Sequence, residues 1–387
     1  MLSVPIMELS LKFRKGLKVA IVHDVLLEYG GSERVVEELL RIFPGADFYT
    51  FYFNKSNRAI FAGFKNAKPK TSFFQNASFL YKLGRYFSIT KAVSWLYFYL
   101  LDLSSYDLII SSSHSYNSKM VRKSKGQLHI CYLYTPPKYL YGEMNELFFI
   151  KKFPLSLLLF PLFSFLRFID KKAAFHPDKI IAISLEIKRR VARYYGREAF
   201  LVYPPVNLPK SLVVKTKKKS YFVAHSRLVR QKGIELIIST FSRFRIPLVV
   251  IGEGYLLNFL KSLAGPTVKF VGRVPDEKLP EIYSRARGLV YGSLDEDFGI
   301  VPVEAMAYGV PVVAYKSGGV KESVIDGKTG VLFSDYSEMG LYKAIKRLEK
   351  LFIDPGMCSR QANKFSKERF RKGILQLVES GLHEKFK

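Results

Sequence analysis

At 387 residues the chain exceeds what one ordinary hydrophobic core supports and suits two domains of roughly 150 to 200 residues each. Apolar content of 48% supports ordinary globular folding and argues against a disordered chain. The formal charge of +28 makes its location the informative quantity, because a charge excess confined to one region marks a partner surface.

Two cysteines, Cys131 and Cys358, fit neither a metal spacing nor a disulfide framework; they read as small buried apolar residues and favour a reducing compartment. Met1 to Gly16 lacks an unbroken apolar run of signal-peptide length and carries Glu8, Lys12, Arg14 and Lys15, so no secretion signal is expected. The longest uncharged apolar run, Phe153 to Leu166, has 14 residues and two prolines, against about 20 needed to span a bilayer.

In chain order, Leu17 to His23 reads as a buried strand ending in Asp24. Gly30-Gly31-Ser32-Glu33 follows and opens a helical pattern at Val35, Val36, Leu39 and Leu40. Such a turn lets a phosphate approach backbone N–H groups, or is simply a tight turn with Ser32 as N-cap. No G-x-G-x-x-G fingerprint is present.

Ala46 to Phe53 is expected as a second strand, followed by a mixed, mainly helical region. Between Lys55 and Lys125 twelve Lys or Arg face only Asp102 and Asp107, interleaved with Phe73-Phe74, Phe79-Leu80-Tyr81 and Trp95 to Tyr99. That mixture suits an anionic membrane surface or a nucleic acid, or is a solvated basic face over an aromatic core. No nucleic-acid-binding motif accompanies it, and no nucleic acid is expected as a partner.

Tyr106 to Ser111 is a strand that runs into Ser112-Ser113-His114-Ser115. At a carboxyl edge His114 can contact a sugar hydroxyl or move a proton, or be an ordinary loop residue. Leu128 to Tyr132 is the next strand, and the loop Leu133 to Tyr141 offers Tyr134, Lys138 and Tyr141 to an acceptor, or packs its aromatics internally. Helix at Phe163 to Ala174, strand at Lys179 to Ser184, helix at Leu185 to Tyr195 with Arg189, Arg190 and Arg193 exposed, and strand at Phe200 to Tyr203 complete the first half.

The lysine-rich run Pro209 to Ser220 reads as a linker. Beyond it, strands at Tyr221–Ala224, Leu248–Gly252, Val268–Val271, Gly288–Tyr291, Pro311–Tyr315 and Gly330–Phe333 alternate with helical stretches, giving a parallel doubly wound sheet. Arg227 and Lys232 flank the loop after the first of these strands, where an arginine fork and a lysine point charge suit a diphosphate. Glu296 to Glu304 follows another strand. Pro302 is expected to start a short helix, with Glu304 in its first turn, Glu296 on the preceding loop, and free N–H groups at Phe298 to Val303 facing an anion. A phosphate flanked by two carboxylates that hold hydroxyls suggests a nucleotide sugar.

The stretches Arg227 to Gly233, Gly252-Glu253-Gly254, Val271 to Val274, Glu296 to Pro311, Ser317-Gly318-Gly319 and Gly327 to Gly330 resemble the donor-binding domain of family 4 glycosyltransferases. In the first half, Gly30 to Val35, Cys131 to Tyr141, Ile183-Ser184 and Tyr195 to Val206 look like a branch of mannosyltransferases in polysaccharide or lipopolysaccharide assembly. The resemblance implies an α/β GT-B fold, two Rossmann-like doubly wound parallel-sheet domains facing across a cleft. The domains would be 1–208 for the acceptor, 209–364 for the nucleotide sugar, and 365–387 as a helix crossing back. It further implies retaining, metal-independent hexose transfer, with GDP-mannose as donor ahead of a UDP-sugar and no cofactor. Arg227 and Lys232 would hold the diphosphate, Glu304 the ribose, and Glu296 with Phe298, Gly299, Ile300 and Val301 the sugar. Val274 falls among the donor contacts, Gly30 and Gly31 close over the sugar phosphate, and His114 matches the family's active-site histidine. The branch usually has histidine at Tyr134, arginine at Lys138 and tryptophan-aspartate at Tyr141-Gly142, so the acceptor is expected to differ.

The leading expectation is transfer to a lipid-linked or polysaccharide acceptor by a cytoplasmic enzyme at the inner face of the cell membrane, with peripheral contact through the basic aromatic first domain. A catalytically silent nucleotide-sugar or glycan-binding protein, and a charge-driven nucleic-acid binder, are the rival readings.

Overall fold

The computed structural model describes residues 16–76, 89–142, 155–209 and 220–385. The first fifteen residues, the segment with Phe79 to Tyr81, Lys82 and Arg85, and most of the lysine-rich linker lie outside them. Two compact units divide the chain: Met1–Tyr203 with Phe370–Lys387, and Pro204–Arg369.

The first unit holds β1 (Val19–His23), α1 (Gly31–Ile42), β2 (Asp47–Thr50), α2 (Arg58–Phe64), β3 (Lys70–Thr71), α3 (Ile89–Leu100), β4 (Leu108–Ser113), β5 (Leu128–Leu133), α4 (Leu155–Ala173), β6 (Lys179–Ala182), α5 (Leu185–Tyr195) and β7 (Phe200–Leu201). Its seven strands are all parallel, in the order β3-β2-β1-β4-β5-β6-β7. Every residue of β1, β4 and β5 is buried, as expected of strands covered by helices on both faces. One core packs Val22, Phe51, Phe98 and Ile109 against Leu166 and Ile169 of α4.

The second unit runs β8 (Tyr221–His225), α6 (Ile234–Arg243), β9 (Leu248–Ile251), α7 (Leu257–Leu263), β10 (Val268–Gly272), α8 (Leu279–Ser284), β11 (Ala286–Tyr291), α9 (Ile300–Ala307), β12 (Val312–Tyr315), α10 (Val320–Ser323), β13 (Gly330–Phe333), α11 (Glu338–Lys350) and α12 (Pro355–Ala362). Its six parallel strands take the order β10-β9-β8-β11-β12-β13 around a core of Phe222, Phe241, Val250, Val290, Val313 and Ile345. Finally α13 (Lys367–Lys385) packs on the first sheet, with Phe370 edge-on to Tyr132 and Arg371 bonded to Glu38 at 2.9 Å.

Three expectations need correction. The helix expected from Phe163 begins eight residues earlier, at Leu155, and carries Pro161 inside it, because the anchoring of Leu166, Ile169 and Ala173 outweighs one missing backbone bond. Pro302 does not open its helix: α9 starts at Ile300 behind Gly299, so Pro302 is the third residue and Glu304 the fifth. A proline still fits there, since the first four N–H groups of a helix have no partner within it. Arg190 is buried, not exposed, its guanidinium 3.5 Å from Glu186.

Candidate functional site

A parallel sheet binds ligands at the carboxyl ends of the two strands where its order reverses. In the second sheet those are β8 and β11, and in the first β1 and β4. Arg227, Lys232 and the Glu296 loop follow β8 and β11, and Gly30, Gly31 and His114 follow β1 and β4, whereas Val274 follows β10 and Tyr134, Lys138 and Tyr141 follow β5.

In the second unit, β8 leads to Arg227 and Lys232, and β11 ends at Tyr291 before the loop bearing Glu296. Two glycines draw these loops together. Gly233 has φ of +62°, and a Cβ on it would lie 2.1 Å from the Gly292 carbonyl oxygen, so no side chain fits this backbone crossing. Lys232 therefore reaches Glu296, its Nζ donating to Oε2 at 2.6 Å, while the Tyr291 hydroxyl donates to the same oxygen at 2.6 Å. Both ions are enclosed, with side-chain exposures of 19% and 15%. Burial pulls the Glu296 carboxyl up, but the Lys232 ammonium and the Tyr291 hydroxyl outweigh it and leave it below the ordinary glutamate value.

The Glu296 loop is pinned from behind. Gly319 N–H donates to the Glu296 carbonyl at 2.8 Å, and Gly318, at φ of +51°, passes so close that a Cβ would stand 1.9 Å from that oxygen. A similar approach holds the Arg227 loop, where Gly252 leaves 1.9 Å between a Cβ and the Ser226 carbonyl. Arg227 itself is exposed. Gly299, at φ of +88°, turns the chain into α9, so Gly299, Ile300 and Val301 present backbone N–H groups at a helix start. The Phe298 side chain is a core residue, edge-on to Phe365 at 5.2 Å, which leaves only its backbone for a ligand. Glu304 is 7% exposed; its charge, after burial, raises the hydroxyl pKa of Tyr283 and Tyr308. Val274 is half-buried in the segment after β10.

In the first unit, His114 follows β4 and is exposed. Its backbone N–H donates to Oδ2 of Asp24 at 2.7 Å, and Oδ1 of the same carboxylate accepts the Ser118 N–H at 2.8 Å. Asp24 is thus the clamp on the His114 loop. The imidazole stacks on the Tyr134 ring at 4.3 Å between centroids. Tyr134 does not offer its hydroxyl outward: it donates to the Ser32 carbonyl at 3.0 Å and pairs with Ser112 Oγ at 2.8 Å. The Tyr141 hydroxyl also turns inward, onto Asp170 at 2.7 Å, and Lys138 is half-buried on a 3-10 turn between the two.

Gly30 is the N-cap of α1, not Ser32, and both Gly30 and Gly31 are half-buried. The helix start already has an anion, because Glu33 accepts from Gly30 N–H at 2.9 Å and from Ser32 Oγ at 2.8 Å. His23 bridges the rest, with Nε2 3.6 Å from Glu33 and Nδ1 3.0 Å from Ser112 Oγ. Burial pulls Glu33 up, but hydrogen bonding and charge from His23 hold its carboxyl below the ordinary value. Sequence reasoning passed over His23, Asp24, Glu33 and Tyr291. A glutamate three residues after Gly30 was the legible signal for Glu33; the others sit where a strand ends, which only the strand order makes significant.

Residues 209–365 match the family model "Glycosyl transferases group 1". The chain is 39% identical over 130 residues to the GDP-mannose-dependent alpha-(1-6)-phosphatidylinositol monomannoside mannosyltransferase of Mycolicibacterium smegmatis, covering 28% of this chain and 33% of that protein. It is 27% identical over 231 residues to the O-antigen chain mannosyltransferase RfbU of Salmonella typhimurium, covering 57% and 64%. The chain thus spans less than two thirds of the length of these relatives. Among solved structures, Anabaena Alr3699/HepE in complex with UDP and glucose superposes with a TM-score of 0.66 at 18% identity, over 94% of this chain and all of that one. The family match is thus confined to residues 209–365, and the chain has the two parallel-sheet units of the GT-B fold.

Proposed function

We propose that the chain is a retaining glycosyltransferase that moves a hexose from a nucleotide donor onto a lipid-linked or polysaccharide acceptor. The observation that carries this reading is the Lys232–Glu296 pair, enclosed beside the start of α9 at the strand-order reversal of the second sheet. A diphosphate there meets Lys232, Arg227 and the helix N–H groups, and a sugar beyond it meets Glu296. As the bond between the anomeric carbon and the phosphate oxygen breaks, negative charge grows on the departing diphosphate, where these donors stabilise it most. The acceptor oxygen attacks from the same face, and its proton passes to the leaving phosphate oxygen. Neither a protein nucleophile nor a metal is assigned a step.

Mannose from GDP-mannose is the donor we favour, the sugar supported by the names of two relatives and the nucleotide by one of them; a UDP-sugar is the alternative, supported by the ligand of a structural neighbour. Glu304 we assign to the ribose hydroxyls. The first unit we assign to the acceptor, with His114 as its polar contact and Asp24 and Tyr134 setting the imidazole's position. We infer that the reaction takes place at the cytoplasmic face of a membrane, a reading supported by the phosphatidylinositol monomannoside in one relative's name.

A thermal-shift screen of GDP-, UDP- and ADP-sugars, followed by sugar release from the donor that binds, tests the reading. Lys232→Ala and Glu296→Ala should each abolish turnover while the protein stays folded; near-normal turnover in either sinks the assignment. Stabilisation by a donor without turnover would mark a binding protein.

A further inference from the structure

Helix α4 buries one face and leaves the opposite face apolar. Leu166, Ile169 and Ala173 enter the core of the first unit. Pro161, Phe165, Phe168 and Lys172 follow one another at steps of four, three and four residues, which places them on a single stripe along the helix, and Phe175 lies three residues on, in the turn after its end. All five are exposed, the phenylalanines at 52%, 61% and 63%. Single exposed apolar residues are ordinary, but a run of aromatics on one line of one helix is not.

The charge on this element is as one-sided as its apolar stripe. Asp170 is the only acidic residue from 155 to 175, and it is fully buried, receiving Lys119 Nζ at 2.7 Å and the Tyr141 hydroxyl at 2.7 Å. Lys171 and Lys172 are exposed. The outward face therefore presents aromatics and cations with no anion, on a chain of net charge +28. Yet no helix among the described residues is long and apolar enough to cross a membrane.

We propose that the outer face of α4 lies in the plane of an anionic lipid bilayer, its phenylalanines at the acyl boundary and Lys171 and Lys172 among the head groups. Apolar burial and attraction to anionic lipid both act on such a face, so each should be separately removable. The proposal deepens the reading of a transferase acting on a lipid-linked acceptor, and rests on it only for the reason to be at a membrane. Vesicle binding is independent of sugar transfer, so either idea can fail alone.

The test is cosedimentation of the full chain with phosphatidylcholine vesicles, with and without phosphatidylglycerol. Wild type should sediment with the anionic vesicles, weakly with the neutral ones, and less as salt rises. Phe165→Ser with Phe168→Ser should weaken anionic-vesicle affinity at least about tenfold, and Lys171→Gln with Lys172→Gln by about tenfold with loss of the preference for phosphatidylglycerol. Circular dichroism and thermal unfolding establish that the variants fold, and Phe168→Ser alone serves if the double variant does not. Wild type failing to bind anionic vesicles, or the phenylalanine variant binding as wild type does, overturns the proposal. So does a wild-type dimer that the phenylalanine variant converts to monomer, which would give the stripe to a second copy of the chain.

Discussion

Lys232 donates to a Glu296 carboxylate oxygen 2.6 Å away, and a phosphate that uses this lysine must compete with it. Glu296→Gln removes the competitor while keeping a side-chain carbonyl to accept from Tyr291. The pair is too enclosed to be worth as little as an exposed surface pair, and too open, at 19% and 15% exposure, for the 3–5 kcal/mol of a fully buried one, so about 1–2 kcal/mol is reasonable. Released to a phosphate, that becomes nucleoside diphosphate binding about 5- to 30-fold tighter. Turnover should fall at the same time, because the carboxylate assigned to the sugar is gone. Calorimetric titration of GDP and UDP into wild type and Glu296→Gln at pH 7.5 reads the first effect, and transfer assays the second. Unchanged or weaker nucleotide binding by the variant would refute the idea that the two anions share one lysine.

The same pair predicts a pH signature. The folded Glu296 carboxyl lies below its ordinary value, so its contribution is present above the ordinary carboxylate range and is lost as pH falls through the lower folded value. Wild type should therefore exceed Glu296→Gln in thermal stability at neutral pH, and the difference should shrink under acid.

Three further outcomes are expected. Gly318→Ala forces a Cβ into the Glu296 carbonyl at positive φ and should cost about 2 kcal/mol or more, read as a lowered midpoint in denaturant; an unchanged midpoint would show that the pinning loop yields freely. Asp24→Asn leaves one of two backbone N–H groups, His114 or Ser118, facing an amide donor, and should cost about 1.5–3 kcal/mol together with transfer activity, measured by thermal unfolding and kcat. Burial pushes the His129 imidazole down to about 3, so from the ordinary 6.5 downward the unfolded chain takes up a proton the folded one refuses, and stability drops by about 1.4 kcal/mol per pH unit over that window; His129→Asn should remove this slope in denaturation curves taken between pH 6 and 4.

The fold was legible because its signals are local. Short β-branched apolar runs bounded by turn residues, such as Leu108 to Ile110, fit strands buried on both faces, and their alternation with amphipathic helices favours a parallel sheet. The helix Leu185–Tyr195 has the bounds its spacing implies, with Ser184 as N-cap and Gly196 beyond its end at φ of +65°. Failures came where tertiary packing overrode a local rule. Proline reads as a helix boundary at 161 and 302, yet both sit inside helices that core contacts hold in place. Arg190 looked solvated by residue type, although α5 turns that position toward the interior. Loop position left Tyr134 and Tyr141 open to acceptor contact or to internal packing, and their hydroxyls bond inward to Ser32, Ser112 and Asp170.

What no single stretch could convey is that each unit sets a carboxylate against a donor proposed to meet a phosphate. In the second unit the Glu296 carboxylate occupies Lys232, and in the first the Glu33 carboxylate occupies the N–H of Gly30 at the start of α1. Burial raises both carboxyls, but Lys232 and Tyr291 hold Glu296, and His23 holds Glu33, below the ordinary value. An anionic ligand then gains only the difference between its own contacts and those it displaces, which favours a diphosphate bearing two charges over a single carboxylate-like anion. If Glu33 plays that part, Glu33→Gln should tighten anion binding to the first unit as Glu296→Gln does for the second, whereas a purely structural cap would lose helix stability without any gain in binding.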